Sequence, residues 1–228
     1  MKLPLPKLYG NMEKHVVLIS IFALQIFSSA AGVDAVAKAS APPAATKLIH
    51  TVVFVGDSLT EGYGVKKEQA FPEISGGILR AKGVNVKIVN GGISGSVSAD
   101  SDTRVKWFLK LKPDILVLEL GSNDALKGTP IVVIEKNLES ALIIADQAHL
   151  KTLILGMRIY TNFGPDYTKQ FETMFSKLAK KHHAAIVPFL LEDVALKPSL
   201  MQADQKHPNA DGHAVVAKRV AAALEKIL

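Results

Sequence analysis

A chain of 228 residues, 48% hydrophobic and 21% charged, is long enough to bury a substantial core in one large domain. The absence of Cys excludes a disulfide scaffold, a thiolate zinc site, an iron–sulfur cluster, a cysteine nucleophile and a lipid-modified N-terminal Cys. The formal charge of +6 arises from Lys and Arg scattered in runs no longer than two, which reads as solvation and not as a nucleic-acid surface.

Residues 1–31 carry the pattern of a leader. Lys2, Lys7 and Lys14 precede the apolar run Val16–Phe27, and Ser28, Ser29, Ala30 and Ala31 follow. A basic head, a short apolar run and small residues form a secretory signal, cut after Ala30 or Ala31. The run is shorter than the ~20 residues that span a bilayer, so an uncleaved anchor is the weaker alternative. Met12 is a second candidate start, because Met12–Glu13–Lys14–His15 makes a compact basic head. Residues 32–47, rich in Ala and Pro, read as a tether, and residues 48–228 as the folded domain. The expected location is therefore periplasmic or secreted, with membrane anchoring as the alternative.

In the domain, short β-branched runs alternate with helical patterns. Thr51–Val55, Val84–Val89, Ile115–Leu120, Thr152–Met157 and Ala185–Val187 are the strand candidates, and continuous apolar runs suit strands covered on both faces. Between and after them, three stretches step with a period near 3.6. Ile131 to Ala145, Tyr167 to Leu178 and Val216 to Leu228 each place their apolar residues on one helix face. Strand–helix alternation predicts an α/β fold with a parallel sheet between two helical layers.

Ligands of open parallel sheets bind beyond the carboxyl ends of the strands. The first strand ends in Gly56–Asp57–Ser58–Leu59, the second in Asn90–Gly91–Gly92–Ile93–Ser94–Gly95, and the third in Gly121–Ser122–Asn123–Asp124. After the fifth, Asp204 stands three residues before His207. A serine nucleophile needs a base, and a histidine base needs an acceptor that fixes its tautomer. Ser58, His207 and Asp204 can supply these parts. The Ser58 and Gly95 amides and the Asn123 carboxamide are candidate donors to an oxyanion. His213 is the rival base but lacks an acidic residue three positions earlier; the other histidines read as surface or structural.

These residues, in this order, resemble the four marker blocks of the SGNH (GDSL) hydrolases, and the likeness covers most of residues 50–228. It is closest to the bacterial branch of arylesterases and multifunctional thioesterase/lysophospholipases. Glu119–Leu120–Gly121, Leu126–Lys127–Gly128, Met157–Arg158–Ile159, Asn162–Phe163–Gly164 and Leu196–Lys197–Pro198 also resemble that branch. The resemblance implies Ser58 as nucleophile, His207 as general base and Asp204 as its orienter. Ser58, Gly95 and Asn123 become oxyanion donors. It further implies a flavodoxin-like three-layer α/β/α sandwich with a five-stranded parallel sheet ordered 2-1-3-4-5, and no cofactor or metal. Two departures stand out. Gln205 occupies a position where many relatives carry Gly, and Ser96–Val97 replace the usual Asp-Thr.

Other site classes do not fit. The α/β-hydrolase elbow needs a second Gly where Thr60 stands, and the dinucleotide fingerprint, the Walker A motif and His-Glu-x-x-His are absent. The expected activity is hydrolysis of aryl and acyl esters, with lysophospholipids and thioesters as further substrates. An exported enzyme would meet little acyl-CoA. Leu126 and Pro130 after the third strand, with Ile159, Tyr160 and Phe163 after the fourth, are the candidate substrate-binding residues. The expected partner is a small ester or lipid, with transient membrane-surface contact and a monomeric state. Two alternatives remain: a carbohydrate O-deacetylase of envelope glycans, and a tethered envelope binding protein without turnover.

Overall fold

The computed structural model describes residues 48–228; the leader, the tether and both candidate starts lie outside the described residues. Five parallel strands form one sheet: β1 (His50–Gly56), β2 (Val86–Gly92), β3 (Ile115–Glu119), β4 (Lys151–Leu155) and β5 (Ala185–Val187). Their order is β2-β1-β3-β4-β5, the order that the family resemblance implies. Val52–Val55 of β1 are fully buried because β1 has neighbours on both sides and helices on both faces.

Helix α2 (Phe71–Ala81) packs against α7 (Ala210–Glu225) on one face, while α3 (Ser101–Phe108), α5 (Ile131–Gln147) and α6 (Pro165–Lys181) pack in series on the other. Two short helices, α1 (Ser58–Glu61) and α4 (Ser122–Leu126), begin where β1 and β3 end. The periodic residues behave as their spacing requires. Ile134, Leu138, Ala141 and Leu142 of α5 and Phe171, Phe175 and Leu178 of α6 are buried. Each large side chain so placed contributes about 1.5–3 kcal/mol of transfer free energy.

Helix starts follow local chemistry. Asn209 Oδ1 accepts from Gly212 N (3.0 Å) at the start of α7, and Pro165 opens α6, where a missing N–H costs nothing. Strand limits differ from expectation chiefly in β2, which runs through Asn90, Gly91 and Gly92. Backbone pairing with Phe54, Val55 and Gly56 of β1 extends it, although those residues read as a loop. Leu228, placed on the last helix by periodicity, lies beyond the end of α7. The carboxyl ends of β1, β2 and β3 meet at Gly56, which pairs with Gly92 and Glu119.

Candidate active site

Ser58 is the first residue of α1, directly after the β1 turn. A Cβ on Gly56 would run into Thr60 and Glu119, so only glycine lets the strand pass this closely beneath the turn. Asp57 caps α1, its Oδ1 accepting from Leu59 N at 2.9 Å. Ser58 Oγ lies 2.9 Å from His207 Nε2, and His207 Nδ1 lies 2.6 Å from Asp204 Oδ2. The other Asp204 oxygen accepts from Lys206 N (2.9 Å) and His207 N (3.0 Å), so one carboxylate fixes both the loop and the ring. Tyr63 packs on the imidazole with ring centroids 4.7 Å apart. Partial burial pushes the Asp204 carboxyl up, but the hydrogen bonds from the His207 ring and from the Lys206 and His207 amides outweigh it and bring the carboxyl down to about 2. A carboxylate charged throughout the neutral range selects the Nδ1–H tautomer and leaves Nε2 free to take the serine proton.

Gly95 adopts φ +81°, in the left-handed region, and space is open where its Cβ would stand. The Ser58 and Gly95 amides have no acceptor among the described residues. Asn123 is more occupied. Its Nδ2 donates to Ser96 O at 2.9 Å and stands 3.3 Å from Asp57 Oδ2. The long contact to Asp57 is the one a negatively charged ligand oxygen would displace.

Beneath the turn lies a buried pair of carboxyls that sequence reading did not single out as a unit. Glu119 is fully buried, and its Oε2 accepts from Thr60 Oγ1 (2.8 Å) and Asp57 N (3.2 Å). Burial pushes the Glu119 carboxyl well above the ordinary carboxylate range, and the neighbouring Asp57 charge adds to this. Burial raises Asp57 as well. Arg104 of α3 supplies the local positive charge and ties the strand ends together, donating to Gly56 O (2.8 Å), Ser96 Oγ (2.9 Å) and Gly91 O. Arg104 stands on α3 three residues after buried Ser101 and four before Phe108, a placement that burial and not sequence pattern reveals.

Ser58, Gly95, Asn123 and His207 line one cavity of about 1040 Å³. Leu126, Ile159 and Tyr160 line it too. Pro130 and Phe163 are not on its wall. Pro130 caps the start of α5, its carbonyl accepting from Val133 N, and Phe163 stacks on Tyr167 at 6.0 Å. The inner wall includes Phe171, Phe189, Leu191 and Met201. Periodicity assigned Phe171 to the core, where it also sits; the other three belong to the irregular segment after β5, which has no period to read. His213 does not line the cavity: it is buried on α7, and its Nδ1 accepts from Phe71 N at 3.3 Å. Among the described residues no three His, Cys, Asp or Glu gather into a metal-binding group.

A hydrogen-bonded Ser–His–Asp chain opening on an apolar cavity at the carboxyl edge of a parallel sheet defines a hydrolase of acyl groups. The family model described as GDSL-like lipase/acylhydrolase matches residues 54–215. The Vibrio mimicus arylesterase is 32% identical over 186 residues, 81% of this chain and 93% of that protein. Thioesterase 1/protease 1/lysophospholipase L1 of Escherichia coli (strain K12) is 32% identical over 179 residues, 78% of this chain and 85% of that protein. The crystal structure of TesA superposes with a TM-score of 0.75 at 32% identity, covering 78% of this chain and 100% of that one. The chain therefore belongs to the GDSL-like lipase/acylhydrolase family and is a carboxylic ester hydrolase.

Proposed function

We propose that the protein is an exported serine esterase that cleaves aryl and acyl esters through an acyl-enzyme on Ser58. One observation carries this reading: the Ser58–His207–Asp204 chain stands at the wall of a cavity whose interior is apolar. Ser58 Oγ attacks the ester carbonyl carbon while its proton moves to His207 Nε2, and Asp204 stabilises the imidazolium. The carbonyl oxygen becomes an oxyanion facing the Ser58 and Gly95 amides and the Asn123 carboxamide. Collapse breaks the C–O bond, and the leaving alcohol takes the proton from His207. Water, deprotonated in turn by His207, then releases the acid and restores Ser58. To take the serine proton, the base must start neutral.

The apolar wall built by Phe171, Phe189, Leu191 and Met201 favours a medium or long acyl chain, including that of a lysophospholipid, over acetate. The names of the relatives, an arylesterase and a thioesterase/lysophospholipase, support ester and thioester hydrolysis. The leader pattern of residues 1–31 supports export, and the tether of residues 32–47 would separate the domain from a membrane. The test compares the protein with its Ser58→Ala variant on p-nitrophenyl esters from acetate to palmitate. The expected result is a maximum at medium or long chains that Ser58→Ala abolishes. Activity confined to acetate would replace this reading with deacetylation. A folded Ser58→Ala variant with unchanged turnover would remove Ser58 from the mechanism.

A further inference from the structure

The edge of the sheet opposite the active site carries a surface that the esterase reading does not use. Helix α3 ends there and runs through the turn Leu109–Leu111 into β3. Trp107 is 56% exposed and Leu111 42% exposed, and Lys106, Lys110 and Lys112 are exposed around them. Within residues 103–113 there is no acidic side chain. Of the flanking acids, Asp102 lies 3.7 Å from Lys106, and Asp114 accepts from Thr51 N at 2.7 Å. Lys112 stands at φ +49°, a conformation that favours glycine, yet the position carries a cation. The Trp107 ring meets Phe108 edge-on at 4.8 Å, and Phe108 packs where a Cβ on Gly91 would lie, so the indole sits on a firm base.

The same edge receives the incoming chain. Asp114 pairs through both N–H and side chain with Thr51, which sets the turn beside the start of β1. Leu48 and Ile49, just before β1, are 72% and 56% exposed.

We propose that this edge docks on an anionic lipid surface, with Trp107 and Leu111 among the headgroups and Lys106, Lys110 and Lys112 against the phosphates. Exposed indole beside aliphatic carbon suits the headgroup region, and interleaved lysines suit anionic lipid. Scattered apolar residues are normal on a surface; an exposed Trp and Leu interleaved with lysines, of which Lys110 and Lys112 have no acidic partner among the described residues, form a directed cluster. Docked this way, the cavity at the carboxyl edge faces away from the bilayer, toward substrate arriving from solution.

The protein contains a single Trp, so fluorescence excited selectively in the indole and not in the tyrosines reports on Trp107 alone. The full chain is titrated with phosphatidylcholine vesicles, with and without phosphatidylglycerol, carrying brominated acyl chains. The expected result is quenching and a blue shift that require phosphatidylglycerol. Binding should weaken at least about tenfold in high salt or in the double variant Lys110→Glu, Lys112→Glu. That variant should hydrolyse a soluble p-nitrophenyl ester at the unaltered rate, which shows that it is folded and keeps the outcome separate from the esterase reading. Vesicle association without Trp107 quenching would mean that the leader alone binds, and would overturn the proposal. Equal quenching by neutral vesicles, or complete competition by single-stranded DNA at equal phosphate, would overturn it too, the latter in favour of a general polyanion site.

Discussion

Asn123 gives its amide to Ser96 O at 2.9 Å and keeps only a 3.3 Å contact with Asp57 Oδ2, so one donor hydrogen is loosely held. A group poised in that way acts on charge that develops during reaction more than on bound substrate. In Asn123→Ala, kcat is expected to fall by about 10²–10³-fold with KM changed by less than about threefold. Steady-state kinetics on a p-nitrophenyl ester read both; an unchanged kcat with a raised KM would make Asn123 a binding residue. Ser58, Asp204 and His207 were legible because their chemistry depends on short-range patterns, a hydroxyl after a strand and a carboxylate three residues before a histidine. Arg104 and Glu119 were not, since each acts through burial beside groups distant in sequence.

At the level of elements, the loop that carries His207 is bound at several points. Met201 bridges Pro208, Gln202 N donates to His207 O at 2.8 Å, and Gln202 Nε2 donates to Tyr63 O at 2.7 Å and Pro208 O at 2.9 Å. Gln205 turns the chain at φ +55°, where a side chain costs about 1–2 kcal/mol. Gln205→Gly removes that strain but adds about 0.5–1 kcal/mol of unfolded-state entropy to be lost. The expected outcome is a Tm within about 3 °C of the parent and an unchanged kcat/KM. Gln205→Val, whose branched Cβ resists the left-handed conformation, is expected to lower both, because the loop shifts and carries His207 from Ser58. Thermal unfolding and ester hydrolysis on the two variants check this. The sequence flagged this position by its departure from a glycine, but only the backbone angle says why a glycine would suit it.

For the whole molecule, His213 links α7 to α2 across the helical layer, accepting from Phe71 N in a buried setting. Burial first, and then the His207 charge, lower its pKa from 6.5 to about 4. Because the folded protein resists a proton that the unfolded chain accepts, its contribution is complete above pH 6.5 and is lost as pH falls toward 4. The loss across that window is roughly 3 kcal/mol at most. Asp57 and Glu119, raised by burial, give the opposite slope, but they are common to both proteins and cancel in a comparison with His213→Gln. Urea unfolding between pH 4 and pH 7 should therefore show a shallower acid loss in His213→Gln than in the parent. Parallel curves would mean that His213 is not the group that titrates.

The sequence by itself determined the layered architecture, since continuous apolar runs alternating with one-sided helical stretches can bury their surfaces only in a covered parallel sheet. It also marked the candidate residues, because a hydroxyl directly after a strand and a carboxylate three residues before an imidazole are short-range patterns. Tertiary structure decided the rest. Pairing with β1 drew the Asn90–Gly92 segment into β2, although it reads as a loop. Packing decided that Leu126, Ile159 and Tyr160 line the cavity while Pro130 and Phe163 support neighbouring elements. The inner wall joins a helix to an irregular segment after β5, and the Lys–Trp–Leu cluster meets the start of β1 through Asp114 and Thr51. Such juxtapositions depend on which distant segments share a surface, and no local period or propensity encodes that.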